Sequence, residues 1–117
     1  MNDTHQDLLD GKERLGALAK SSPEVFKGFS AMSKAAMADG SLSTAHKELM
    51  AVAISCVQRC DDCVLYHVDA ARRAGADEKQ LLESLQVAIE MGGGPALMYA
   101  GRALKAWRAL DADQGTD

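Results

Sequence analysis

Aromatic side chains are nearly missing. Phe26, Phe29, Tyr66, Tyr99 and Trp107 are all there are in 117 residues, too few for the stacking platforms that single-stranded nucleic acids require. A concentrated basic face is missing too. Thirteen Lys and Arg are outnumbered by 17 Asp and Glu, giving a net charge of −4, and no basic cluster exceeds short pairs such as Arg72-Arg73. Phosphate neutralisation needs such a face, so no nucleic acid is expected as a partner. No apolar run reaches the roughly 18 residues that would span a membrane. The first residues, MNDTHQDLLDGKERL, alternate charge with leucine and lack a secretion signal's apolar centre. These absences predict a cytoplasmic protein with no membrane partner. Cysteine is sparse, with three in the chain, and in a reducing compartment a CxxC points to catalysis or metal binding rather than a structural staple.

No stretch alternates apolar and polar residues long enough to predict a strand, whereas Leu, Ala and Met abound. The expected fold is all-α, with about six helices in one domain over residues 1–117, its core about 22–110. A first helix runs near Thr4 to Lys20. Ser22-Pro23-Glu24 then reads as an N-cap, a proline at the first helical position and an acid suited to the dipole. Val25, Phe26, Phe29, Met32, Ala36 and Met37 form the apolar stripe of a helix that Gly40 is expected to end. Ser43 caps a third helix, apolar on most sides after Glu48 and so expected to be the most buried. A break is expected between Gln58 and Asp62, with Asp61 or Asp62 capping a helix that Gly75 closes. Asp77-Glu78-Lys79-Gln80 resembles a capping box. Gly92-Gly93-Gly94-Pro95 is a tight turn into the last helix; it lacks the GK[ST] ending of a phosphate loop. Trp107 is expected as a core or subunit anchor, His46 and Tyr66 as surface and packing residues, and residues 112–117 as a frayed tail.

The chemistry concentrates between Glu48 and His67. Cys60 and Cys63 can exchange between dithiol and disulfide, and a cysteine in a helix's first turn has its thiolate favoured by the dipole. Asp61 and Asp62 oppose this, since negative charge disfavours a second negative charge nearby. His67, one turn beyond Cys63, is placed to accept a proton. Glu48 lies twelve residues before Cys60, about 18 Å along an unbroken helix. A fold-back near Arg59 would bring it beside His67, where a carboxylate orients an imidazole and stabilises its cation. A metal site of Cys56, Cys60, Cys63 and His67 is disfavoured, because on an unbroken helix those four stretch over about 16 Å. Cys56, between Ile54 and Val57, reads as a small apolar core residue.

Glu48-x11-Cys60-x2-Cys63-x3-His67 resembles the active-site signature of the AhpD-like alkylhydroperoxidase family, within the carboxymuconolactone decarboxylase superfamily. The flanks LSTAHKELMAVAIS and MGGGPALMYAGRAL agree, and the resemblance runs from about Phe26 to Leu110. It implies an AhpD-like bundle of antiparallel helix pairs assembling as a homo-oligomer, a trimer or hexamer. It also implies an antioxidant oxidoreductase, a thiol-dependent peroxidase or disulfide reductase. Cys60 and Cys63 would be the redox pair and Glu48 and His67 a proton relay. No bound cofactor is implied; the electrons would come from an external dithiol or from a lipoyl- or thioredoxin-type donor. Asp62 stands where some family members carry histidine, and the length matches short single-repeat members. Two other readings are a decarboxylase-like enzyme using Glu48 and His67 without thiols, and a non-enzymatic metal-binding or interaction module.

Overall fold

The computed structural model describes residues 3–115. Five helices follow one another: α1 (Asp3–Ser21), α2 (Pro23–Met37), α3 (Thr44–Gln58), α4 (Asp61–Arg73) and α5 (Glu78–Gly115), with no strand among the described residues. Helix α5 consists of two arms, because Gly93 at φ 67°, ψ −148° is not helical. Arg108 of the second arm pairs with Glu78 of the first at 3.1 Å, so the arms run antiparallel. Counted this way there are six helical segments, as the sequence predicts. Gly92, just before the break, permits the close approach of α3. A Cβ there would lie 2.6 Å from the Ala96 Cβ and 3.3 Å from Val57 Cγ2.

Several termini follow the expected chemistry. Ser43 Oγ accepts the His46 N–H at 3.1 Å. Asp77 and Gln80 close a reciprocal capping box, the Gln80 N–H donating to Asp77 Oδ1 at 2.8 Å and the Asp77 N–H to Gln80 Oε1 at 3.0 Å. Gly75 takes φ 102° at the end of α4.

Four details differ from expectation. Helix α2 ends at Met37 rather than at Gly40. Its last carbonyls are taken by α3 side chains: Thr44 Oγ1 donates to the Met37 carbonyl at 2.7 Å, and Lys47 Nζ to those of Ala36 and Ala38 at 3.0 and 2.7 Å. Ser22 holds the N-cap position of α2 without a side-chain bond, leaving the start to Pro23. Cys60, not Asp61 or Asp62, is the N-cap of α4, since both acids already lie in its first turn. The last helix continues to Gly115 instead of fraying after Asp111, because nothing before that glycine breaks it; residues 116–117 lie outside the described residues.

The core lies where α3, α4 and α5 meet. Val52 and Cys56 of α3, Val68 and Ala71 of α4, and Leu81 and Ala103 of α5 are fully enclosed, with Trp107 buried beside them and Leu8 closing from α1. Burying one such Val or Leu side chain contributes about 1.5–3 kcal/mol. Asp69, also buried, is held by Arg72 and Arg73 at 3.1 Å and by Lys12 of α1 at 3.7 Å. A buried carboxylate requires such pairing, so Asp69 fastens α1 to α4.

Candidate functional site: a CxxC disulfide beside a Glu–His pair

The site depends on the turn between α3 and α4. Arg59 adopts a left-handed conformation, φ 58°, ψ 47°, the only non-glycine positive φ among the described residues. Its N–H donates to the Cys56 carbonyl at 3.3 Å and the Cys60 N–H to that of Ser55 at 3.1 Å. This double closure is a Schellman motif, usually built on glycine. It reverses the chain within two residues and starts α4 at Asp61.

The reversal sets α3 and α4 side by side and brings Glu48, early in α3, against His67 of α4. The Nδ1 of His67 and Glu48 Oε1 are 2.6 Å apart. Glu48 is buried and His67 half-buried, with the ring of Tyr66 edge-on to the imidazole at 5.3 Å. A carboxylate accepts only, so Nδ1 carries the proton in this contact and Nε2 is left as the second ring nitrogen.

Cys60 and Cys63 form a disulfide with a Cα–Cα distance of 5.2 Å. Cys60 Sγ also accepts the Cys63 N–H at 3.3 Å, so one sulfur caps the helix N-terminus. Both residues are half-buried. Cys56 is fully enclosed, and burial pushes its thiol up to about 11, as befits a core residue. With Cys60 bonded to Cys63 and Cys56 turned into the core, the Cys3His metal set is not assembled. Among the described residues no group of three or more His, Cys, Asp or Glu is placed to hold a metal ion.

Three neighbours escape a reading of the sequence. Arg14 of α1 donates to both oxygens of Asp62, at 3.1 and 3.0 Å. Arg102 of α5 donates to Asp61 Oδ2 at 3.2 Å and lies over the Tyr99 ring, 5.1 Å from its centroid. The Asp61 carboxylate beside the Tyr99 hydroxyl raises the Tyr99 pKa. The two adjacent acids of CDDC were the available hint that counter-charges must come from elsewhere. Their separations, 48 and 41 residues, gave no pattern to follow.

A half-exposed dithiol–disulfide couple at a helix N-terminus, one turn from an imidazole held by a carboxylate, is equipped for two-electron thiol exchange with proton transfer. The sequence matches the carboxymuconolactone decarboxylase family over residues 23–106. An uncharacterized protein of Cupriavidus necator is 47% identical over 90% of this chain and 93% of its own length. An uncharacterized protein of the Paracoccus denitrificans cox locus is 38% identical over 83% and 87%. Among solved structures, a carboxymuconolactone decarboxylase family protein of Legionella pneumophila superposes with a TM-score of 0.89. It is 36% identical, with 93% of this chain and 97% of that one covered. A family protein of Thermotoga maritima gives 0.83 at 27% identity, with 93% of each chain covered. The chain belongs to the carboxymuconolactone decarboxylase family.

Proposed function

We propose that the protein is a thiol-dependent peroxidase or disulfide oxidoreductase of the AhpD-like kind, in which Cys60 and Cys63 cycle between dithiol and disulfide. The observation that carries this reading is the Cys60–Cys63 bond at the start of α4, on the helix hairpin that pairs His67 with Glu48. A family relative from Thermotoga maritima has been suggested to take part in an antioxidative response, which agrees with it.

In the peroxidase cycle one thiolate attacks the peroxide's terminal oxygen. The O–O bond breaks, and the departing alkoxide takes a proton and leaves as the alcohol. The resulting sulfenic acid is attacked by the second thiol, which forms the disulfide and releases water. The sum is one dithiol plus one hydroperoxide giving a disulfide, an alcohol and water. An external dithiol donor then reduces the disulfide by exchange through a mixed disulfide. His67, held through Nδ1 by Glu48, uses Nε2 to take the thiol proton and return it to the leaving oxygen. The chain works as a homo-oligomer in the cytoplasm. Val25, Phe29 and Met32 of α2 and Met91, Leu97 and Met98 of α5, all exposed, supply the apolar surface for other copies.

The test is a thiol count and mass spectrum of reduced protein before and after one equivalent of an organic hydroperoxide. Loss of two thiols and two hydrogens, mapped to Cys60–Cys63, is expected; unchanged thiols would overturn the peroxidase reading. In stopped-flow measurements, His67→Gln should slow disulfide formation by about a hundredfold and Glu48→Gln by about tenfold.

A further inference from the structure

The sequence CDDC places two carboxylates directly between the thiols, where their charge opposes thiolate formation. Neither carboxylate is left unbalanced. Asp62 receives Arg14 on both oxygens, and Asp61 receives Arg102, with the Tyr99 hydroxyl beside it. The two arginines come from different helices, α1 and α5, and converge on the first turn of α4. Arg14 precedes the residues matched to the family, 23–106, so α1 adds this half of the arrangement.

Stability does not explain the pairs. All four side chains are between 60% and 65% exposed, and ion pairs in that setting contribute only about 0–1 kcal/mol. Charge acts differently on a neighbour that must itself ionise. One charge about 7 Å away through water shifts an ionisation by about half a unit. The charged and titratable groups around the dithiol are Asp61, Asp62 and His67 on α4, Glu48 and Arg59 from α3 and its turn, Arg14 from α1, and Tyr99 and Arg102 from α5.

We propose that Arg14 and Arg102 are positioning residues for the redox pair. By holding and neutralising Asp62 and Asp61, they keep the mouth of the CxxC close to electrically neutral, so that a thiolate forms there despite the intervening acids. The assignment rests on the reading of Cys60 and Cys63 as a reactive dithiol.

The test needs no peroxide. Full-length protein is reduced, freed of reductant and alkylated with iodoacetamide across a range of pH, with mass spectrometry reporting the rate at each cysteine. In R14Q/R102Q the midpoint of the rate–pH curve should rise by about half a unit or more, about threefold less thiolate at a fixed pH below it. In D61N/D62N it should fall by a similar amount, while R14K/R102K should keep the wild-type midpoint. An unmoved midpoint in R14Q/R102Q, with helical circular dichroism intact, overturns the proposal. Should that variant fail to fold, an unmoved midpoint in D61N/D62N overturns it instead. Protein inert to hydroperoxide but showing the predicted shifts would sink the peroxidase reading and leave this assignment standing. Peroxide turnover with unmoved midpoints would do the reverse.

Discussion

Helices α2 and α3 are each 15 residues long and each carries an apolar stripe, yet their fates are opposite. Helix α3 buries Glu48, Leu49, Val52, Ser55 and Cys56; α2 buries nothing. Helix α3 packs against both α4 and α5. Among the described residues helix α2 touches only α1 and the edge of α3, leaving Val25 75% and Phe29 61% exposed. Apolar pattern alone does not decide burial; the number of neighbours does. Even α3 has an open side, with Met50 and Ile54 about half exposed, so its burial is confined to one face although its apolar residues lie on most sides. The covered face of α3 holds Glu48 of the candidate site. The uncovered face of α2 is what the proposed oligomer would use.

The largest difference between the two helices should appear on truncating equivalent apolar side chains. Leu49→Ala in α3 should cost about 2–5 kcal/mol in urea unfolding. Met32→Ala in α2 should change monomer stability by no more than about 0.5 kcal/mol, while lowering the mass seen by light scattering if that face joins copies. Equal losses at both positions would break the comparison.

A smaller effect of opposite sign is expected at the helix ends. Arg59, left-handed after α3, should be stabilising when replaced by glycine, by about 1 kcal/mol. Ala38, extended at φ −65° and ψ 151° after α2, should lose about 0.4–1 kcal/mol in Ala38→Gly, because the unfolded chain gains freedom with no strain relieved. Thermal unfolding of the two variants reads both signs.

A pH-dependent effect that vanishes at neutral pH concerns Cys56. Its thiol ionises at about 11 in the fold against 9.0 ordinarily. Its contribution to stability is therefore whole below pH about 9 and is lost as pH rises toward 11, where the unfolded chain gains from ionising. Denaturant midpoints measured through that window should decline more steeply in wild type than in Cys56→Ala. Reduced native protein at neutral pH should be alkylated at Cys60 and Cys63 and spared at Cys56.

Much of the site was legible because its signals are local. The spacing of Cys60, Cys63 and His67 along one helix, and the need for a reversal near Arg59 to bring Glu48 across, follow from helical geometry and a clear loss of pattern. Helix starts at Pro23, Ser43 and Asp77 were legible for the same reason, since caps act within one turn. The end of α2 is not legible in the same way, because Thr44 and Lys47, across a loop, occupy the carbonyls that a glycine cap would have satisfied. The N-cap of α4 departs from the sequence expectation because a sulfur, rather than an acid, takes the position facing the Cys63 N–H.

Sequence by itself therefore determined the helical class, most of the breaks, and the thiol, imidazole and carboxylate that meet at one hairpin, because each rests on interactions between residues one or two turns apart or across a single tight turn. Only the tertiary structure decided which apolar stripes are covered, and that Arg14 and Arg102 arrive from two other helices to balance Asp62 and Asp61. Burial and long-range ion pairing depend on which surfaces meet, and that is set by the packing of all the helices together.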